Sequence, residues 1–138
     1  MSTISQADYL AMLARLDAGA RKHEPSPSQG PPATREVGHG GLQEQIAAHC
    51  NAQWPQWPFI QARSDKPSTI AAGAQDFTLF LPKGRLLCVE TKAKGGKVTP
   101  QQLAWRLRME MAGHKVHLCY SFNQFLELAQ QAMRPPQP

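Results

Sequence analysis

Asp76 opens one apolar run and Glu90-Thr91-Lys92 closes the next, with Pro82-Lys83-Gly84 between them. Proline suits the first position of a type I turn and glycine the left-handed third, so the tripeptide predicts a three-residue hairpin loop. Leu81 then faces Arg85, and counting outward brings Asp76 opposite Glu90 on one face of the sheet. Lys92 joins them, because residues two apart on a strand share a face. Carboxylates about 5 Å apart repel by about 3 kcal/mol at an effective dielectric of about 20. A shared proton, a nearby cation or a bound metal relieves that repulsion. Mg²⁺ takes oxygen ligands, often one or two carboxylates with water and a substrate phosphate. A lysine beside it can orient or deprotonate an attacking water and steady charge building on the phosphate. Metal-assisted phosphodiester hydrolysis is the chemistry these residue types suit.

The triplet alone carries little weight. A Glu-x-Lys arises by chance in about one chain in two of this length, and a surface ion pair on a hairpin is its ordinary explanation. Context changes the balance. Leu86-Leu87-Cys88-Val89 runs straight into Glu90, so the charges emerge at the end of a buried strand.

The elements that must position these residues follow from periodicity. A stripe of Tyr9, Leu10, Leu13, Leu16 and Ala20, with Ser5 as N-cap, predicts an N-terminal helix over 1–20. The Pro-, Ser- and Gly-rich stretch 21–38 reads as a flexible linker, and 134–138 as a disordered proline-rich tail. Between them, 39–133 forms the domain proper. Leu42, Ile46 and Cys50 mark a helix, and strands follow at Phe59–Arg63, Asp76–Leu81 and Arg85–Ala93. Thr99 caps a helix with Pro100 at its first position and Leu103, Leu107 and Met111 as its apolar face, ended by Gly113. A strand over Lys115–Tyr120 and a helix over Asn123–Met133 complete the order α-β-β-β-α-β-α. This is an α+β fold, a mixed sheet flanked by helices.

Composition narrows the partners. Lys plus Arg number 15 against 10 for Asp plus Glu, a net charge of +5, and the pI is near 9.4, which fits a polyanion. Cys50, Cys88 and Cys119 are widely spaced and suit neither a disulfide framework nor a zinc finger, as expected of a cytoplasmic protein. No apolar run reaches the roughly 18 residues of a membrane span, and the N-terminus lacks a secretory pattern.

Gly73-Ala74-Gln75-Asp76-Phe77, Val89-Glu90-Thr91-Lys92 and Val98-Thr99-Pro100-Gln101-Gln102 together resemble the VRR-NUC branch of the PD-(D/E)XK nucleases. Ala112-Gly113-His114-Lys115-Val116 and Ser121-Phe122-Asn123-Gln124-Phe125-Leu126 follow the same course, so the resemblance spans about Gly40 to Leu128. It implies a restriction-endonuclease-like core cutting DNA with Mg²⁺ or Mn²⁺. Asp76 and Glu90 would hold the metal with the backbone carbonyl of Thr91, Lys92 would assist the nucleophile, and Gln102 would point back into the site. The chain departs from the family in two places. Gln75 replaces the usual proline before the aspartate. The acid expected on the first helix falls at His39 or Gly40, leaving Glu44, one turn further, or His39 as substitutes. Glu44 could equally be a solvated helix residue.

Lys94, Lys97, Arg106 and Arg108 follow the catalytic strand and Arg63 and Lys66 precede it, a basic rim for DNA phosphates. Trp105 can stack on a base or pack. Standalone relatives resemble structure-selective enzymes such as Holliday junction resolvases acting as homodimers. The expectation is therefore a structure-selective endonuclease on branched or duplex DNA, in a bacterial or phage-infected cell. Two-fold cleavage of a junction requires two active sites, and the N-terminal helix can serve the dimer or dock a partner. The competing expectation is a DNA-binding or assembly module on the same fold without chemistry.

Overall fold

The computed structural model describes residues 30–62 and 71–134, together with Ser5, Ala7, Asp8, Leu10, Ala11, Ala14 and Arg15. Arg63, Lys66, the first part of the expected linker and the tail after Arg134 lie outside the described residues. Of the N-terminal helix, Ala7, Asp8, Leu10, Ala11, Ala14 and Arg15 are helical, and the Asp8 N–H donates to Ser5 Oγ at 3.1 Å, as an N-cap requires. Arg15 Nη2 donates to Glu110 Oε1 at 2.7 Å.

Helix α1 (Leu42–Gln53) is followed by β1 (Phe59–Gln61), β2 (Phe77–Leu81), a single 3-10 turn (Pro82–Gly84) and β3 (Arg85–Thr91). Then come α2 (Pro100–Met111), β4 (Val116–Cys119) and α3 (Phe122–Met133), in the expected order. The sheet runs β1-β2-β3-β4, antiparallel except that β4 lies parallel to β3. That parallel pair needs a crossover, which α2 supplies.

One sheet face carries Phe77, Leu79, Leu81, Leu87 and Val89 and packs on Leu42, Ile46 and Cys50 of α1 and Phe125 and Ala129 of α3. The alternate residues of β3 and β4 face α2, whose Leu107 is buried. Toward β1 and β2 this second face stays open, with Ile60, Phe80 and Leu86 exposed. Met111, expected on the apolar face of α2, is 59% exposed. Helix α2 meets the sheet at β4, and the residues it buries are Arg106 and Leu107.

The hairpin pairs Leu81 with Arg85 and Phe77 with Val89, the register expected from the turn. Its ladder stops one pair short of Asp76 and Glu90. The turn differs from a type I turn: Lys83 itself is left-handed (φ 61, ψ 34) as well as Gly84. A side chain there costs roughly 1–2 kcal/mol. Replacing Lys83 with Gly is therefore expected to stabilise the fold by about 1 kcal/mol, read as a higher denaturant midpoint at unchanged m. A lower midpoint would show that Lys83 makes a compensating contact.

Candidate active site

The site begins with the way α2 starts. Thr99 Oγ1 accepts from the Gln102 N–H at 3.2 Å, and Gln102 Oε1 accepts from the Thr99 N–H at 2.9 Å, a capping box that fixes the Gln102 side chain. Thus held, Gln102 reaches the sheet. Its Oε1 accepts from Lys92 Nζ at 2.7 Å and its Nε2 donates to Glu90 Oε1 at 2.6 Å. Lys92 and Glu90 are themselves buried, their charged atoms 4.0 Å apart. The loop before β2 is locked onto the same turn. A Cβ on Gly73 would lie 2.3 Å from the Gln101 carbonyl oxygen, so only glycine allows this approach. Gln75, in the place of the family's proline, accepts from Trp105 Nε1 at 2.7 Å and donates to Thr78 Oγ1 at 2.8 Å. Hydrogen bonds here supply stiffness that a proline ring would otherwise give. Trp105 is thus engaged in packing, with Arg108 lying over its ring at 5.2 Å.

Asp76 sits just before β2 and turns its carboxylate to Thr91, whose N–H and hydroxyl both lie 2.8 Å from Asp76 Oδ2. A third acid arrives from an unexpected direction. Glu36 Oε1 is 2.9 Å from the same Thr91 hydroxyl and accepts from Gln43 Nε2 at 3.3 Å. Gln43 also donates to Thr91 Oγ1 at 2.9 Å. Glu36 lies in the stretch read as linker, but residues 30–38 are tied to the sheet. Ala33 N–H donates to the Tyr120 carbonyl at 2.7 Å and its own carbonyl accepts from the Lys94 N–H at 2.8 Å. The chain then reverses before α1, whose side-chain-less cap Gly41 is compensated by the Arg35 and Glu36 carbonyls, accepting from Leu42 and Gln43. Glu44, proposed from the sequence for the missing acid, points elsewhere. It is exposed, 3.6 Å from the exposed His39. Glu36 and Gln43 were missed by helical spacing. The signal available was Gly38-His39-Gly40-Gly41, a run able to fold an upstream acid back onto the helix start.

The electrostatics of the cluster are unfavourable as it stands. One hydroxyl has one proton, so Thr91 cannot donate to both Asp76 and Glu36. Burial pushes the Glu36 carboxyl above its usual range, and Asp76 adds to the rise. Burial raises Glu90 to about 9, aided by the Asp76 charge and a hydrogen bond with it, against the lowering influence of Lys92. Among the described residues no three carboxylate, imidazole or thiolate groups already converge as a metal cage. Asp76 and Glu90 nonetheless fit an ion that binds through two carboxylates, water and phosphate, since all their donors are hard oxygens. Of the basic rim, Lys94, Lys97 and Arg108 are exposed. Arg106 is not a rim residue: it is buried at 7% exposure.

Because Glu90 is raised from an ordinary 4.5 to about 9, the folded chain holds a proton there that the unfolded chain has released. Stability of the metal-free protein is then fully present below about pH 4.5 and falls as pH rises towards 9. Glu90→Gln removes this titration, so its denaturant midpoint should change much less with pH across that window. Equal slopes in both proteins would contradict the assignment.

A family model described as the VRR-NUC domain matches residues 20–123, from ahead of Glu36 into the first turn of α3. No curated protein and no solved structure matches the chain. The matched span includes Glu36, Asp76, Glu90, Lys92 and Gln102, and its mixed sheet with flanking helices is compatible with a restriction-endonuclease-like fold. The chain belongs to the VRR-NUC family of the PD-(D/E)XK nuclease-like superfamily, and its folded region is a nuclease-type domain.

Proposed function

We propose that this chain is a divalent-metal-dependent deoxyribonuclease that hydrolyses phosphodiester bonds in branched DNA by structure rather than by sequence. One observation carries the reading: Gln102 joins Lys92 to Glu90 at the point where Asp76 and Glu36 crowd the Thr91 hydroxyl. A purely structural core has no use for three acids and a lysine drawn together with too few donors between them. Bound Mg²⁺ or Mn²⁺ would polarise the phosphodiester and lower the pKa of a water.

The chain's own residues do the rest. Asp76 and Glu90, with the Thr91 carbonyl, would hold the ion. Glu36 takes the role for which Glu44 and His39 were candidates, held at the Thr91 hydroxyl and accepting from Gln43. Lys92, its ammonium kept in place by Gln102 at 2.7 Å, orients the attacking water and balances charge on the phosphate. Lys94, Lys97 and Arg108 lie exposed where a phosphate backbone would run, and Arg63 and Lys66 belong to the same reading. Symmetric cutting of a Holliday junction calls for a homodimer, and the open apolar patch of Ile60, Phe80 and Leu86 offers a surface for one. No helix among the described residues is long and apolar enough to cross a membrane; a bacterial or phage-infected cytoplasm is the setting this reading assumes.

Cleavage of labelled four-way junction, flap, single-stranded and linear duplex DNA in Mg²⁺ or Mn²⁺ tests this. The unaltered chain is expected to cut the junction or flap fastest. Lys92→Ala should lose at least about 10²-fold in rate. Glu36→Gln should lose a comparable factor, while Glu44→Gln stays near the unaltered rate. DNA binding without cleavage by any of these proteins would establish the binding module in place of the nuclease. Glu44→Gln losing activity with Glu36→Gln intact would reverse the assignment of the third acid.

A further inference from the structure

Arg106 lies one turn after Gln102 on α2, so the two side chains project from the same side of the helix. Gln102 contacts Glu90, and Glu90, Tyr120 and Glu110 are the groups whose charge Arg106 feels. Its side chain is nine-tenths buried, yet its Nε and Nη1 have no hydrogen-bond partner among the described residues. Burial pushes this guanidinium below its ordinary pKa, and the nearby acids only partly offset that. A buried charge with two of its three nitrogens unpaired is costly. Arg106 and Leu107 are the two buried residues of α2, and only Leu107 is apolar.

We infer that Arg106 is a latent phosphate-binding residue, whose guanidinium leaves its burial to grip a DNA phosphate flanking the one being cut. The inference rests on DNA being the ligand of the site. Arginine offers five donors in a planar fork that matches two phosphate oxygens, and its long stem lets the head group travel while the helix stays in place. About one helical turn, 5.4 Å, separates it from Gln102 along α2. That places it on the helix side from which Gln102 reaches Glu90 and Lys92, whereas Lys94 and Lys97 lie on an exposed loop. Because the resting position is unsatisfied, moving to a phosphate both makes hydrogen bonds and removes a penalty. Binding and stability are therefore set against each other at this residue.

The test measures binding of the full chain to a labelled four-way junction and to a linear duplex across a salt series, with Ca²⁺ replacing Mg²⁺. Thermal melting of the free protein is recorded alongside. Arg106→Met keeps the stem and removes the fork. It should reduce the slope of log K against log salt by about 0.9, the value of one phosphate contact. Affinity near 0.1 M salt should fall about tenfold, while Tm of the free protein rises by a few degrees. Arg106→Lys should retain the salt slope with an intermediate affinity. An unchanged slope in Arg106→Met overturns the inference, whatever happens to Tm. If Arg106→Met does not fold, Arg106→Gln is read by the same criterion. The salt slope reports a phosphate contact whether or not the chain cuts, so failure of cleavage would sink the nuclease reading without deciding the role of Arg106.

Discussion

The hydroxyl of Thr91 is shared by more acids than it can serve. Asp76 and Glu36 approach it from different elements, and Glu90, its neighbour on β3, is pushed up to about 9 by burial and by the Asp76 charge. In water such groups would separate. Here they are held by a sheet, a helix start and a folded-back strap, and each arrangement depends on features that would otherwise have no explanation. Gly73 is pressed against the first turn of α2, Thr99 and Gln102 cap each other, and Ala33 bridges the ends of β3 and β4. The stability of the domain comes from the apolar core, where Phe77, Leu87 and Val89 meet α1 and α3. The apolar layer thus meets the cost of the polar one.

Gln102 is the point at which local structure becomes chemistry. A capping glutamine normally satisfies a helix end and nothing more. In this chain its amide oxygen serves the Thr99 N–H and the Lys92 ammonium together, and its amide nitrogen serves Glu90. Helix position, lysine position and carboxylate position are consequently one variable. A shift of α2 would misplace all three.

Much of this was legible from the residues. The hairpin register followed from Pro82-Lys83-Gly84 and the two-residue period of strands, and the start of α2 from Thr99 and Pro100. These features are local, and local rules govern them. Glu36 was not legible, because it reaches the site through a reversal over Gly38 to Gly41 rather than along a helical face. Helical spacing therefore led to Glu44, which points to solvent. The exchange on α2, Met111 outward and Arg106 inward, has a similar origin. Periodicity finds an apolar stripe but not which residues the neighbouring elements cover. Lys83 is left-handed because the hairpin turn takes its mirror-image form, which a lysine at that position does not signal.

The central claim is that Asp76 and Glu90 form a cation site, in which an ion takes the place of the proton that Glu90 otherwise holds. The most direct measurement is the melting temperature of the full chain at pH 8 as Mn²⁺ or Mg²⁺ is titrated, set beside the Asp76→Asn, Glu90→Gln double variant. The unaltered chain is predicted to melt several degrees higher with saturating ion, and the double variant to be indifferent to it. An equal response of both proteins, or none in the unaltered chain, would contradict it.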